Sequence, residues 1–180
     1  ADTRLAGATK AQPAAAVLVR AVSAPAFLGT VETSVKACRQ QRQPLSLCLL
    51  ELDHVESIAD RLGEMQVTKM LHRLQPMMHA IIVDEGRLIQ VDDHRFAVIY
   101  EGAERQPAVE LTRQLVRCVR DWSGEQASTL GHSFTFSAGV ATLAMPPKNF
   151  PCQELIDAAQ RCMNGVQLSG GDSVKSIDIY

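Results

Sequence analysis

Residues 90–100 read QVDDHRFAVIY, and within them Asp92, Asp93, His94 and Arg95 gather two carboxylates, an imidazole and a guanidinium at adjacent positions. Groups of these types held together can bind a divalent cation or exchange a proton near neutral pH. A second acidic pair, Glu51 and Asp53, closes the apolar run LSLCLLEL. Acids at a strand end can ligate a metal through oxygen, or cap the helix that follows. The hairpin acids also admit a structural reading, because Asp is a common turn residue whose carboxylate accepts N–H groups of its own turn. His72 and His79 lie seven positions apart with no acid or Cys at ligand spacing beside them, and read as surface or boundary residues. Gly170 and Gly171 have no strand before them and no Lys after, so they read as a helix stop rather than a phosphate loop.

These residues need elements to hold them. LSLCLLEL is continuous and apolar, as a central strand buried on both faces must be. RLIQV and RFAVIY are two short strand-like runs on either side of Asp92, Asp93 and His94, which predicts a hairpin. Val31, Val35 and Cys38 fall at helical spacing with Thr30 as the expected N-cap, and Pro44 ends that helix. DHVESIADRLGE predicts a short helix broken at Gly63. Met70, Leu71, Leu74, Met77, Met78 and Ile81 then form a core-facing stripe, with a kink expected at Pro76. Val109, Leu115, Val116, Val119 and Trp122 make a further helical face; SFTFSAGVATL reads as a strand. A helix over CQELIDAAQRCMNGVQL and a short edge strand near the C-terminus complete the order helix, β, α, α, β, β, α, β, α, β. That order predicts an α/β sandwich with helices covering a mixed sheet. Residues 1–28, Ala-rich with Pro13 and Pro25, read as a linker or N-terminal helical extension, and 29–180 as the domain.

The chain has 180 residues, 46% of them apolar and 21% charged, enough for one sizeable core. A net charge of −2 gives no basic excess to attract nucleic acid or an anionic membrane. No apolar run reaches the roughly 18–20 residues of a membrane span. The five cysteines are scattered without CxxC spacing, which fits reduced thiols and a cytoplasmic setting.

From about Val31 onward the chain resembles the GGDEF domain of diguanylate cyclases. LLELDHVESIADRLG is similar to that family's DxDxFKxxND strand and helix, LIQVDDHRFAVIY to the strand-turn-strand carrying GGDEF or GGEEF, FTFSAGVA to its vTvSxGvA strand, and LIDAAQRCMNGVQLSGG to its ADxALYxAKxxGRN helix. The resemblance implies an α/β (α+β) fold of nucleotidyl-cyclase, palm-like type, with a mixed sheet of about five strands covered by helices. It places Glu51 where the family has a Mg²⁺-binding acid. The family's guanine-reading Asn and Asp fall on Ala59 and Thr68, its triphosphate Lys on Glu56, and its helix-borne Lys and Arg on Gln167 and Gly171. The signature itself becomes Asp92, Asp93, His94, Arg95 and Phe96. Two carboxylates replace two glycines that let a nucleotide approach the backbone. The RxxD product-inhibition motif falls on Val83–Gly86, VDEG, without an Arg to clamp a phosphate. The N-terminal DxLTGLxNR signature is replaced by SAPAFLGTV.

The resemblance therefore implies a degenerate, catalytically inactive domain with no cofactor and no product-inhibition site. It would serve as a regulatory or protein-interaction module in bacterial cyclic di-GMP-related signalling. Its partners would be other domains of a longer signalling protein or a separate protein, with a homodimer left open and no nucleic acid or membrane span. One rival is a divergent metal-dependent nucleotide-binding or nucleotidyl cyclase domain holding Mg²⁺ through Glu51, with Asp92 or Asp93 as the second ligand. The other is a nucleotide-sensing module with a non-standard site.

Overall fold

The computed structural model describes residues 21–180. Its elements are α1 (Ala24–Gln41), β1 (Leu45–Leu52), α2 (Val55–Leu62), α3 (Glu64–Ile82), β2 (Arg87–Gln90), β3 (Arg95–Glu101), α4 (Arg105–Leu130), β4 (Phe136–Leu143), α5 (Cys152–Leu168) and β5 (Val174–Ile179). The sheet order is β2-β3-β1-β4-β5. β1 is antiparallel to both β3 and β4, and only the β4–β5 pairing is parallel. The mixed five-stranded sheet and the element order are those expected from the sequence.

The apolar run of β1 follows from its place in the middle. Cys48, Leu50 and Leu52 point into one core, where Leu71, Leu74 and Met78 of α3 and Leu115 and Val119 of α4 meet them. Leu45, Leu47 and Leu49 point into the other core, against Val31 and Val35 of α1 and Leu155 and Met163 of α5. Side chains alternate across a strand, so only an unbroken apolar sequence can serve two cores. Met70, Leu71, Leu74 and Met78 are buried, with Met77 and Ile81 partly so, while His72 and His79 are exposed. The buried thiols are unsuited to nucleophilic chemistry: burial pushes Cys48 up to about 12.

One local expectation is corrected. The N-cap of α1 is Ser23, whose hydroxyl accepts the Ala26 N–H at 3.2 Å, and Thr30 lies inside the helix with its hydroxyl donating to the Ala26 carbonyl. Pro25 in the first turn suits its fixed φ, so the helix begins before the proline instead of after it. Residues 24–28 are accordingly helical, and Phe27 is buried in the core; the part of the linker reading that covers 1–20 lies outside the described residues. α3 runs as one helix through Pro76. No helix among the described residues is long and apolar enough to cross a membrane.

α5 crosses β4 very closely at Gly139. A Cβ there would collide with the Ala159 carbonyl oxygen and the Met163 backbone nitrogen, both backbone atoms that cannot swing aside. Gly139→Ala should therefore destabilise the fold by roughly 1–3 kcal/mol, as overpacking of a tight contact does. Urea unfolding followed by circular dichroism would read this as a lower midpoint, and an unchanged midpoint would show that the helix can lift off the sheet freely.

Candidate functional site

The topology brings all the acidic candidates to one edge of the sheet. β1 ends there, β4 and β5 begin there, and the β2–β3 turn lies alongside: Glu51 is in register with Arg95 on one side and Ser137 on the other. The chemistry of the edge depends on what each carboxylate already holds.

Asp92 is committed to the turn. Its Oδ1 accepts the backbone N–H of His94 at 3.0 Å and of Arg95 at 2.9 Å, and its Oδ2 accepts Arg95 Nε at 2.6 Å. Burial acts to raise its pKa, but the His94 N–H and the Arg95 guanidinium and N–H outweigh it, so the carboxyl sits below its usual value. Asp93 is exposed. His94 turns away from both acids of the tip and meets Glu64, at the start of α3, through Nε2 at 3.2 Å. Arg95 is shared, with Nη1 donating to Gln160 Oε1 of α5 at 3.0 Å, and Phe96 is fully buried beside Phe136. The four polar residues of the tip thus divide into a closed turn, one outward acid and two ties to neighbouring helices.

Asp53 is committed more deeply. It is only 4% exposed, and it accepts hydrogen bonds from Thr135 Oγ1 at 2.6 Å, from the Ser137 hydroxyl and from the Asp172 N–H at 2.9 Å. A charged carboxylate can be buried at this depth only when donors replace its water. Gly171 completes the arrangement. Its φ is +78°, and a Cβ there would lie 2.6 Å from Asp53 Oδ2, so the turn after α5 can close over the carboxylate only as glycine. Gly170 and Gly171 also terminate α5, with the Gly171 N–H on the Val166 carbonyl, which is the helix stop read from the sequence. Glu51 Oε2 accepts Gln167 Nε2 at 2.7 Å.

Sequence reasoning named the acids and missed their partners. Thr135 and Ser137 lie in FTFSAGVA and Gln160 and Gln167 in the stretch matched to the family's helix, but nothing in those stretches, nor at Asp172, points to the acids they hold across the chain. Gln167 was visible only as an uncharged residue where a cation is expected.

Residues 24–173 match the family model described as diguanylate cyclase, GGDEF domain. The chain belongs to the GGDEF domain family. Solved GGDEF domains share its fold: that of FimX from Pseudomonas aeruginosa is 20% identical with a TM-score of 0.73, covering 89% of this chain and 97% of that one. The active GGEEF domain of a diguanylate cyclase from Vibrio cholerae is 16% identical with a TM-score of 0.75, covering 88% and 97%. Diguanylate cyclase SiaD from Pseudomonas aeruginosa, solved in complex with its activator SiaC, is 15% identical with a TM-score of 0.76, covering 90% and 62%. No curated protein matches the chain.

The metal that the GGDEF family implies does not fit the donors of this edge. Both Asp53 oxygens are taken by protein donors, one oxygen of Glu51 accepts the Gln167 amide, and Asp92 is closed on its own turn. Among the described residues no three His, Cys, Asp or Glu side chains gather at metal-binding distances. The family's product-inhibition motif falls on a stretch with a different lining. Val83–Gly86 border a shallow hollow that also includes Glu101, and Arg87, the cation there, is paired with Glu101 at 3.4 Å.

The turn geometry separates the two aspartates. Asp92→Ala should cost roughly 0.5–2 kcal/mol, by analogy with loss of a helix-capping side chain, whereas Asp93→Ala should stay within about 0.5 kcal/mol. The folded carboxyl of Asp92 is shifted below its unfolded value of about 3.9, so its stabilisation is present above that pH and is lost as pH falls through the folded pKa. Chemical denaturation at pH 7 and again near pH 3 would show the gap between wild type and Asp92→Ala narrowing in acid; a gap that widens in acid would contradict the turn assignment.

Proposed function

We propose that this GGDEF domain makes no cyclic di-GMP and acts as a regulatory or protein-interaction module within a longer bacterial signalling protein in the cytoplasm. The observation that carries the reading is the state of the signature hairpin. Diguanylate cyclase chemistry, as the resemblance implies it, needs a glycine turn open to the nucleotide and acids free to hold metal ions. Here the turn is closed by Asp92, which binds two N–H groups and a guanidinium of its own hairpin. Arg95 is drawn to Asp92 and Gln160 instead of being left for a phosphate.

Three further features support it. Ala59 has no group to hydrogen-bond a base, Glu56 puts a negative charge where a triphosphate would need a positive one, and Gln167 holds Glu51 by a neutral amide. The rival in which Glu51 and Asp92 or Asp93 share a metal requires breaking the Asp92 turn or recruiting an exposed Asp93. A module that has exchanged catalysis for structure still presents a folded surface to partners. The complex of SiaD with its activator SiaC is an instance, in a structurally similar protein, of a diguanylate cyclase bound to another protein.

Two outcomes follow. Incubating the domain with GTP and Mg²⁺ or Mn²⁺ should yield no cyclic di-GMP above the no-enzyme background by chromatography, and measurable product would overturn the proposal. Micromolar cyclic di-GMP should leave the amide resonances of Val83–Gly86 unmoved, and saturable shifts there would restore a product-binding site to the hairpin's neighbourhood.

A further inference from the structure

At the pole of the sheet opposite the signature hairpin, the second half of α1 faces the loop between β4 and α5 across a cavity of about 360 Å³. Lys36 and Arg39 reach it from α1 and Lys148 from the loop, with Glu32 at one side. Val35, Pro147 and Phe150 give the cavity an apolar wall. None of Lys36, Arg39 and Lys148 has an ion-pair partner among the described residues; cations such as Lys69 and Arg117 are unpaired as well, and what sets these three apart is that they line one cavity together. Glu32, one turn before Lys36, is likewise not in an ion pair with it.

Three unneutralised cations converging on one concavity repel each other, and the chain as a whole carries a net charge of −2. Coulomb repulsion of this kind is relieved by an anion, and an anion carrying two charges relieves it more than a monovalent one. The loop geometry fixes the arrangement: Asn149 takes a left-handed φ of 59°, which turns the chain between Lys148 and Phe150. Both residues line the cavity, one offering charge and the other an aromatic surface. The volume is of the size that holds a small molecule.

We propose that this cavity binds a small organic dianion, a phosphate ester or dicarboxylate with an apolar group attached. Lys36, Arg39 and Lys148 hold the charged end, and Val35, Pro147 and Phe150 the apolar end. Glu32 favours ligands that carry a hydrogen-bond donor and disfavours more highly charged ones. The site is separate from the hairpin edge and does not depend on whether catalysis has been lost there. Because it joins α1 to the β4–α5 loop, occupation would fasten the helix that leads into the domain to the body of the fold.

The test uses phenyl phosphate and inorganic phosphate as probes, titrated into the ¹⁵N-labelled chain at constant ionic strength. Phenyl phosphate should give saturable amide shifts confined to residues near Lys36, Arg39 and 148–153, and should bind several-fold more tightly than inorganic phosphate. Arg39→Gln and Lys148→Gln should each weaken it about tenfold, while Arg117→Gln, a cation on α4 away from the cavity, should leave it unchanged. Absence of saturable shifts, equal affinity for the two probes, or equal weakening by Arg117→Gln would each overturn the proposal.

Discussion

The Asp53 carboxylate lies just past the end of β1 and accepts donors from both sides of it: hydroxyls of Thr135 and Ser137 where β4 begins, and the backbone N–H of Asp172 in the turn leading to β5. Charge-assisted hydrogen bonds in a buried place are strong, and an unmet carboxylate there would be costly, so the three chain segments are constrained to meet. The constraint spreads outward. Gly171 must be glycine for the turn to reach Asp53, α5 must end at Leu168 for that turn to form, and α5 must lie flat on Gly139 for its end to arrive in the right place. Arg120 of α4 then closes on Asp172 through both carboxylate oxygens, tying the helix on the opposite face of the sheet to the same turn. The ends of β1 and α5 and the starts of β4 and β5 are thereby fastened in one joint.

The hairpin is fastened by a different means. A glycine turn leaves space above the backbone; the Asp92 turn fills that space with a side chain and spends the carboxylate on two N–H groups and Arg95. Arg95 carries the link on to Gln160, His94 to Glu64, and Gln167 joins α5 to Glu51. Each bond at this partly exposed edge is worth little alone. Together they link β1, the hairpin, α3 and α5. At the other pole Lys36, Arg39 and Lys148 line one cavity without ion-pair partners.

Much of this was legible in the sequence, for identifiable reasons. The two-faced burial of β1 demanded an unbroken apolar run, the α3 stripe required the 3.6-residue period, and VDDHRF between two short β-rich runs could only be a turn. The start of α1 was misread because Thr30 is a competent cap in isolation, while Ser23 followed by Pro25 is the better one once Phe27 has a core to enter. At the edge, the acids were visible but their condition was not. Whether Asp53 is a ligand or a pin depends on Thr135, Ser137 and Asp172, which lie far from it in sequence, and the tip acids Asp92 and Asp93 look alike until the turn selects one of them. Residue type gives the capacity for chemistry; only tertiary contacts say whether it has already been used.

The central claim is that Asp53 and Asp92 are held by donors of the protein itself, and divalent cations test it most directly. A ligand that binds only the folded state raises stability by RT ln(1 + [L]/Kd), so even weak metal binding becomes visible at millimolar concentration. The measurement is the melting temperature of wild type and Asp92→Ala in EDTA and in millimolar Mg²⁺ or Mn²⁺. The account predicts the same melting temperature for wild type in all three solutions. A metal-dependent rise in wild type that disappears in Asp92→Ala would contradict it, and would show that the hairpin carboxylates remain a working metal site.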